Sequence, residues 1–133
     1  MTKRQYLRQW LTKAEHDRII IQQGMDRPEH EWVTDVLCFH AQQVVEKAFK
    51  AYLIFLEQDP PRTHSLEMLI EAIRSVSPEY PEFDLGDLTA FAVQSRYPDE
   101  LIEPDASEAK HYAELAERVL EDIQHRIGLH GSE

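Results

Sequence analysis

The fold of this chain is decided by residues 32–58, which read WVTDVLCFHAQQVVEKAFKAYLIFLEQ. Inward-facing side chains recur there at helical spacing along two neighbouring stripes. The first stripe contains Val33, Leu37, His40, Val44, Ala48, Ala51 and Phe55, and the second contains Val45, Phe49, Tyr52 and Leu56. A helix that is apolar over so wide an arc packs against neighbours on more than one side. We therefore predict that residues 32–58 form the central helix of an all-helical domain.

Helical spacing, capping signals and proline breaks predict four further helices around the central one. They span residues 3–26, about 64–76, about 86–95, and a last helix that begins after Asp105. Asp105 and Glu108 stand in the register of a capping box, which supports that start. The predicted fold is an all-α, up-and-down helical bundle of four long helices plus one short helix. It forms a single domain over residues 1–133, with its core at about 4–126 and a frayed tail at 128–133.

The net charge of −11 is unevenly distributed along the 133 residues. Residues 1–13 carry four basic side chains and no acid, whereas residues 99–122 carry nine acids against Lys110 and Arg118. Because an acidic surface repels phosphate backbones, we do not expect nucleic-acid binding. The charges are interpreted as two solvated helix faces, and the alternative is that a basic partner docks on the acidic last helix.

Several classes of site and location are not supported by the sequence. The single cysteine, Cys38, cannot form an internal disulfide, and no apolar run approaches the ~18 residues that a membrane span needs. We therefore expect a cytoplasmic protein without a membrane segment. The histidines lack metal-ligand spacing, and no Gly-rich phosphate loop is present, so neither a metal nor a cofactor is expected.

Three short segments resemble the HEPN domain family. Residues 39–51, FHAQQVVEKAFKA, resemble its HAQQAxEKxLKA signature, and the segments 63–66 and 96–98 continue the pattern over about residues 4–126. The resemblance implies a helical bundle that often forms a homodimer. It also implies, for many bacterial and archaeal members, a partnership with a minimal nucleotidyltransferase. Some members bind nucleotides, and others are metal-independent ribonucleases, often toxins of toxin–antitoxin pairs.

The resemblance also gives a test for ribonuclease activity. Ribonuclease members carry an Arg-x(4–6)-His motif near the start of the last long helix, but Arg96 has no histidine at that spacing. The literal match is Arg118 with His125, which share a helix face and could supply a cation and a base. One such match is expected by chance, and the surrounding acids would repel RNA. The missing motif therefore argues against an enzyme, and Arg118 and His125 remain the candidates for catalysis.

A second group of residues could bind phosphate. Lys47 and Lys50 lie three residues apart on the central helix. If they line a cleft with His64 and Arg96, they form a nucleotide- or phosphate-binding set, and Tyr97 could stack on a base. The alternative is structural, with Lys47 paired to a neighbouring acid and Arg96 at a helix end.

Further polar and aromatic side chains are interpreted as structural. We predict that His40 is buried and hydrogen-bonded, with Gln42 and Gln43 in the same polar region. Trp10 and Trp32 are expected to be partly buried beside the turn between the first two helices.

Three functions follow from these interpretations. The first is a non-catalytic HEPN-type module that binds a nucleotide or substrate and acts with a nucleotidyltransferase subunit. The second is a metal-independent ribonuclease toxin of the HEPN type. The third is a structural dimeric scaffold whose acidic last helix docks a partner.

Overall fold

A computed structural model describes residues 1–93 and 103–128, and the fold they form is all-helical. The helices are α1 (Lys3–Met25), α2 (Thr34–Phe55), α3 (Leu66–Val76) and α4 (Ala106–Ile127). Two 3₁₀ turns, Glu29–Glu31 and Leu88–Phe91, precede α2 and α4. The predicted all-α class is thus confirmed. The short helix that was predicted at 86–95 is a 3₁₀ turn over four residues, and positions 94 and 95 fall outside the described part.

The long helix α2 is central, as predicted, because it contacts α1, α3 and α4. Its side chains Val44, Ala48 and Phe49 are fully buried, as the double apolar stripe requires. The helix is shorter than predicted at both ends. Val33 is its N-cap, and Glu57 takes a left-handed backbone conformation, with φ of 63°, just after the last turn. Val33 and Phe55, which were predicted to face inward, are exposed at the two ends of α2.

Both ends of α4 are fixed by local hydrogen bonds. Asp105 Oδ1 accepts from the Glu108 amide at 2.8 Å, and Glu108 Oε1 accepts from the Asp105 amide at 3.4 Å. This is the predicted capping box. At the other end, Gly128 has a φ of 73°, a conformation that glycine adopts without steric cost. These two signals set the ends of α4, which packs along α2 and closes the bundle.

The segment after α3 covers one end of the core. Tyr80 is fully buried there, and its ring lies 6.4 Å from that of Phe49 and 5.2 Å from that of Tyr52. The guanidinium of Arg126, on α4, lies 4.9 Å from the centroid of the Tyr80 ring. The segment thus links α2 to α4. Within the described parts of the chain, no helix is long and apolar enough to cross a membrane.

Candidate functional site

A first charge cluster, which we call the Asp17 cluster, joins α1 to α2 around a buried carboxylate. It consists of Asp17, His40 and Lys47. Asp17 is only 7% exposed, yet Lys47 Nζ donates to its Oδ2 at 2.6 Å and His40 Nδ1 lies 2.7 Å from its Oδ1. Because a carboxylate only accepts hydrogen bonds, the Nδ1 atom of His40 carries the proton. Burial opposes ionisation of Asp17, but the hydrogen bonds from His40 and Lys47 outweigh it and hold its pKa below the usual value.

A second buried cluster, the Glu46 cluster, lies on α2 beside the start of α3. It consists of Gln42, Glu46, Lys50 and His64. Glu46 is 4% exposed and accepts from Lys50 Nζ at 3.0 Å, from Gln42 Nε2 at 3.2 Å, and contacts His64 Nδ1 at 3.0 Å. Gln42 also donates to the backbone carbonyl of His64 at 2.9 Å. This cluster therefore fixes the beginning of α3 against the central helix.

Beside the Glu46 cluster lies a cleft of about 550 Å³, which we call the Lys50 cleft. Its lining combines three basic side chains with two aromatic ones and one acid, Asp59. These are Lys50, Arg62 and His64 in the first group and Tyr6 and Trp10 in the second. Asp59, Pro60, Pro61 and Thr63 complete it. The cleft thus offers a charged and an apolar surface to one ligand.

The side chains of the Lys50 cleft differ in how far their charge is already satisfied. Lys50 is 8% exposed, is paired with Glu46, and its Nζ lies 5.2 Å from the centroid of the Trp10 ring. Arg62 is exposed and forms no ion pair within residues 1–93 and 103–128. His64 holds Glu46 through one ring nitrogen while 67% of its side chain stays exposed. Arg62 and His64 can therefore contact a ligand directly. Lys50 is buried in the wall of the cleft and contributes mainly its charge.

The structure brings together only part of the predicted phosphate-binding set. Lys50 and His64 line the same cleft, whereas Lys47 does not, because its ammonium group is held by Asp17 on the α1 side of α2. Lys47 thus takes the structural alternative of an ion pair. Arg96 and Tyr97 lie outside the described residues.

The predicted ribonuclease candidates lie elsewhere. Arg118 and His125 are exposed on α4, and neither lines the Lys50 cleft. Cys38 is buried, and burial raises the pKa of its thiol to about 12, so that it stays protonated at neutral pH. Among the residues that the structure describes, no group of three His, Cys, Asp or Glu side chains could hold a metal ion.

Sequence reasoning missed Tyr6, Trp10 and Arg62. Trp10 lies in the middle of α1 rather than at the turn before α2, so the prediction that it flanks this turn is wrong. Its ring meets that of Tyr6, one helical turn earlier, with centroids 6.2 Å apart. An aromatic pair at i and i+4 was the available signal, but only the packing of α1 on α2 places it beside Lys50.

The family follows from a comparison with known proteins. The family model described as HEPN domain matches residues 7–126. The chain belongs to the HEPN domain family. The match includes the residues of both charge clusters, so the predicted resemblance is confirmed. This HEPN domain has no significant match among curated proteins or solved structures. Family membership accounts for the helical bundle.

Proposed function

We propose that this HEPN domain is a non-catalytic module that binds a nucleotide, or a similar phosphate-bearing ligand, in the Lys50 cleft. One observation carries the proposal: Lys50, Arg62 and His64 line the same cleft as the aromatic pair Tyr6 and Trp10. An arginine fork matches the oxygens of a phosphate, and a lysine adds a point charge. Aromatic faces accept a flat base by stacking. The cleft therefore has a surface for each half of a nucleotide.

The missing Arg-x(4–6)-His motif after Arg96 favours binding over chemistry. Metal-independent RNA cleavage needs a base for the 2′-hydroxyl proton and a cation for the developing phosphate charge. Arg118 and His125, the spacing match, lie on the exposed face of a helix rich in acids. RNA would be repelled there.

A nucleotide titration of the wild type and two arginine variants tests the proposal. We expect AMP and ATP to bind, and Arg62→Ala to weaken binding by at least about tenfold, since a charge-assisted hydrogen bond contributes roughly 1.5–3 kcal/mol. Arg118→Ala is the matched control, because it also removes an exposed arginine but lies outside the cleft. Isothermal titration calorimetry measures both affinities. Equal affinities for the two variants, or no binding by the wild type, would contradict the proposal and leave a scaffold role.

We also propose that the module works as a homodimer beside a nucleotidyltransferase subunit in the cytoplasm. Membership of the HEPN family supports this setting, because many members act in such pairs. Sedimentation velocity is expected to give twice the 15.6 kDa of one chain. Co-expression with a nucleotidyltransferase from a neighbouring gene is expected to give one co-eluting complex. A chain that sediments as a monomer and elutes apart from that enzyme would refute the partnership.

A further inference from the structure

A second concavity lies between α1 and α4, away from the Lys50 cleft. This α1–α4 groove has a volume of about 500 Å³. Its apolar lining comes from Ile21 and Met25 on α1 and from Ala113 and Ala116 on α4. Its polar lining consists of Arg18, Gln22, Asp26, Glu114 and Glu117. It shares no residue with the Lys50 cleft, so it can be occupied independently.

The groove has the dimensions and the spacing that suit one face of a helix. The part of α1 from Arg18 to Asp26 extends for about 12 Å at ~1.5 Å per residue, which is roughly two helical turns. Ala113 carries a small side chain, which leaves room for a bulkier apolar side chain against α4, whereas Ala116 and Ile21 are buried beneath the groove. Amphipathic helices bind in such grooves through apolar anchors at i, i+3 and i+4.

The charge around the groove selects a basic occupant. Three carboxylates line it, those of Asp26, Glu114 and Glu117, against the single cation of Arg18. That cation is already engaged, at 2.8 Å from Glu15 and 3.9 Å from Glu117. The groove therefore carries more negative charge than its own cations balance.

We propose that the α1–α4 groove docks a basic amphipathic helix of a partner protein. Its apolar side chains lie between Met25 and Ala113, and its Lys or Arg side chains pair with Glu114 and Glu117. Nucleic acids and anionic lipid headgroups are disfavoured, because their phosphates would meet three carboxylates.

A second copy of this chain does not supply such a helix from its basic segment. The segment is residues 3–13, where Lys3, Arg4, Arg8 and Lys13 are concentrated. Its apolar side chains Leu7 and Leu11 are buried in the core of their own bundle. The segment therefore presents basic side chains to a second copy, but no apolar face that could enter the groove.

A synthetic helix provides the probe. The peptide has 15 residues of leucine and lysine, with leucine at i, i+3 and i+4, and a counterpart replaces each lysine with glutamate. Fluorescence anisotropy at 0.15 M salt measures affinity for the full chain, and amide chemical-shift changes locate the site. We expect saturable binding of the lysine peptide, shifts concentrated at residues 18–26 and 113–117, and no binding of the glutamate peptide.

Two variants and a matched control separate docking from general attraction to an acidic protein. Glu114→Lys/Glu117→Lys reverses the charge at two positions of the groove. Ala113→Phe fills the groove and leaves its charge unchanged. Both are expected to weaken peptide binding by about tenfold. Glu67→Lys/Glu71→Lys makes the same charge change on the exposed face of α3. This control is expected to weaken the binding of the lysine peptide by less than about twofold. Equal losses in the two charge-reversal variants, full affinity in Ala113→Phe, or scattered shifts would overturn the proposal. Circular dichroism confirms that each variant is folded.

Discussion

Replacing Asp17 with alanine is expected to lower the free energy of unfolding by about 3–5 kcal/mol, because the change breaks a buried ion pair on one side only. The side chains of Lys47 and His40 both end on the Asp17 carboxylate, at 2.6 and 2.7 Å. Without it, an ammonium group and a ring N–H are left largely buried with no acceptor. Urea unfolding followed by circular dichroism measures the loss. Asp26→Ala is the matched control, since Asp26 is exposed at the end of the same helix, and we expect it to change stability by less than about 0.5 kcal/mol.

The difference in free energy of unfolding between the wild type and Asp17→Ala should decrease as the pH falls. The pKa of Asp17 is lowered in the folded state, since the bonds from His40 and Lys47 outweigh the effect of burial. A lowered carboxylate pKa contributes stability that is complete above the unfolded-state value of about 3.9 and is lost as the pH falls through the folded-state value. The gap between wild type and Asp17→Ala should therefore be full at pH 7 and shrink below about pH 4. A gap that widened in acid would show that the carboxylate is not the stabilising group.

A triple variant separates the cost of an unpaired charge from the value of the cluster itself. Asp17→Leu/His40→Leu/Lys47→Leu replaces every polar member with an apolar side chain. Buried ion pairs that are replaced as a whole are often neutral or stabilising. We expect the triple variant to recover most of the stability that Asp17→Ala loses. If it were as unstable as the single variant, the packing of these side chains rather than their charge balance would hold α1 to α2.

The periodicity of residues 32–58 was enough to predict the central helix, because a helix buried on several sides must be apolar around most of its surface. Its ends were not predictable to the residue. The prolines at 60 and 61 forbid a helix there, but the chain leaves the helical conformation earlier, where Glu57 adopts a positive φ. The prolines set the last position that the helix can reach. The packing of the segment that follows decides at which earlier residue the helix ends.

The candidate site was predictable only in part, for a geometric reason. Lys47 and Lys50 are neighbours on one helix surface, yet long side chains three residues apart can bend to opposite sides of it. Here one reaches Asp17 on α1 and the other reaches Glu46 beside His64. Sequence spacing predicted that both lysines lie on one helix. Which carboxylate each lysine contacts depends on tertiary packing, which the spacing does not show.

Replacing Glu46 with glutamine is expected to cost about 3–5 kcal/mol in the absence of ligand, while it increases the affinity for a nucleotide. The reason is the position of Lys50, which is 8% exposed and has its only described ion pair with Glu46. Once an amide replaces that carboxylate, the ammonium group is buried without a counter-charge unless an anion enters the Lys50 cleft. A nucleotide should therefore raise the unfolding free energy of Glu46→Gln more than that of the wild type.

Glu57→Gln is the control for this change, because it makes the same substitution in an exposed pair. Glu57 accepts from Lys3 at 3.1 Å, and its side chain is 78% exposed, so its loss should cost at most about 1 kcal/mol. Urea unfolding of both variants, with and without ATP, separates the two contributions. If Glu46→Gln lost much of its free energy of unfolding and ATP did not restore it, Lys50 would have a structural role and no role in binding the ligand. A loss that ATP relieves selectively would tie the buried ammonium group to the ligand, because the control variant has no buried charge for the anion to balance.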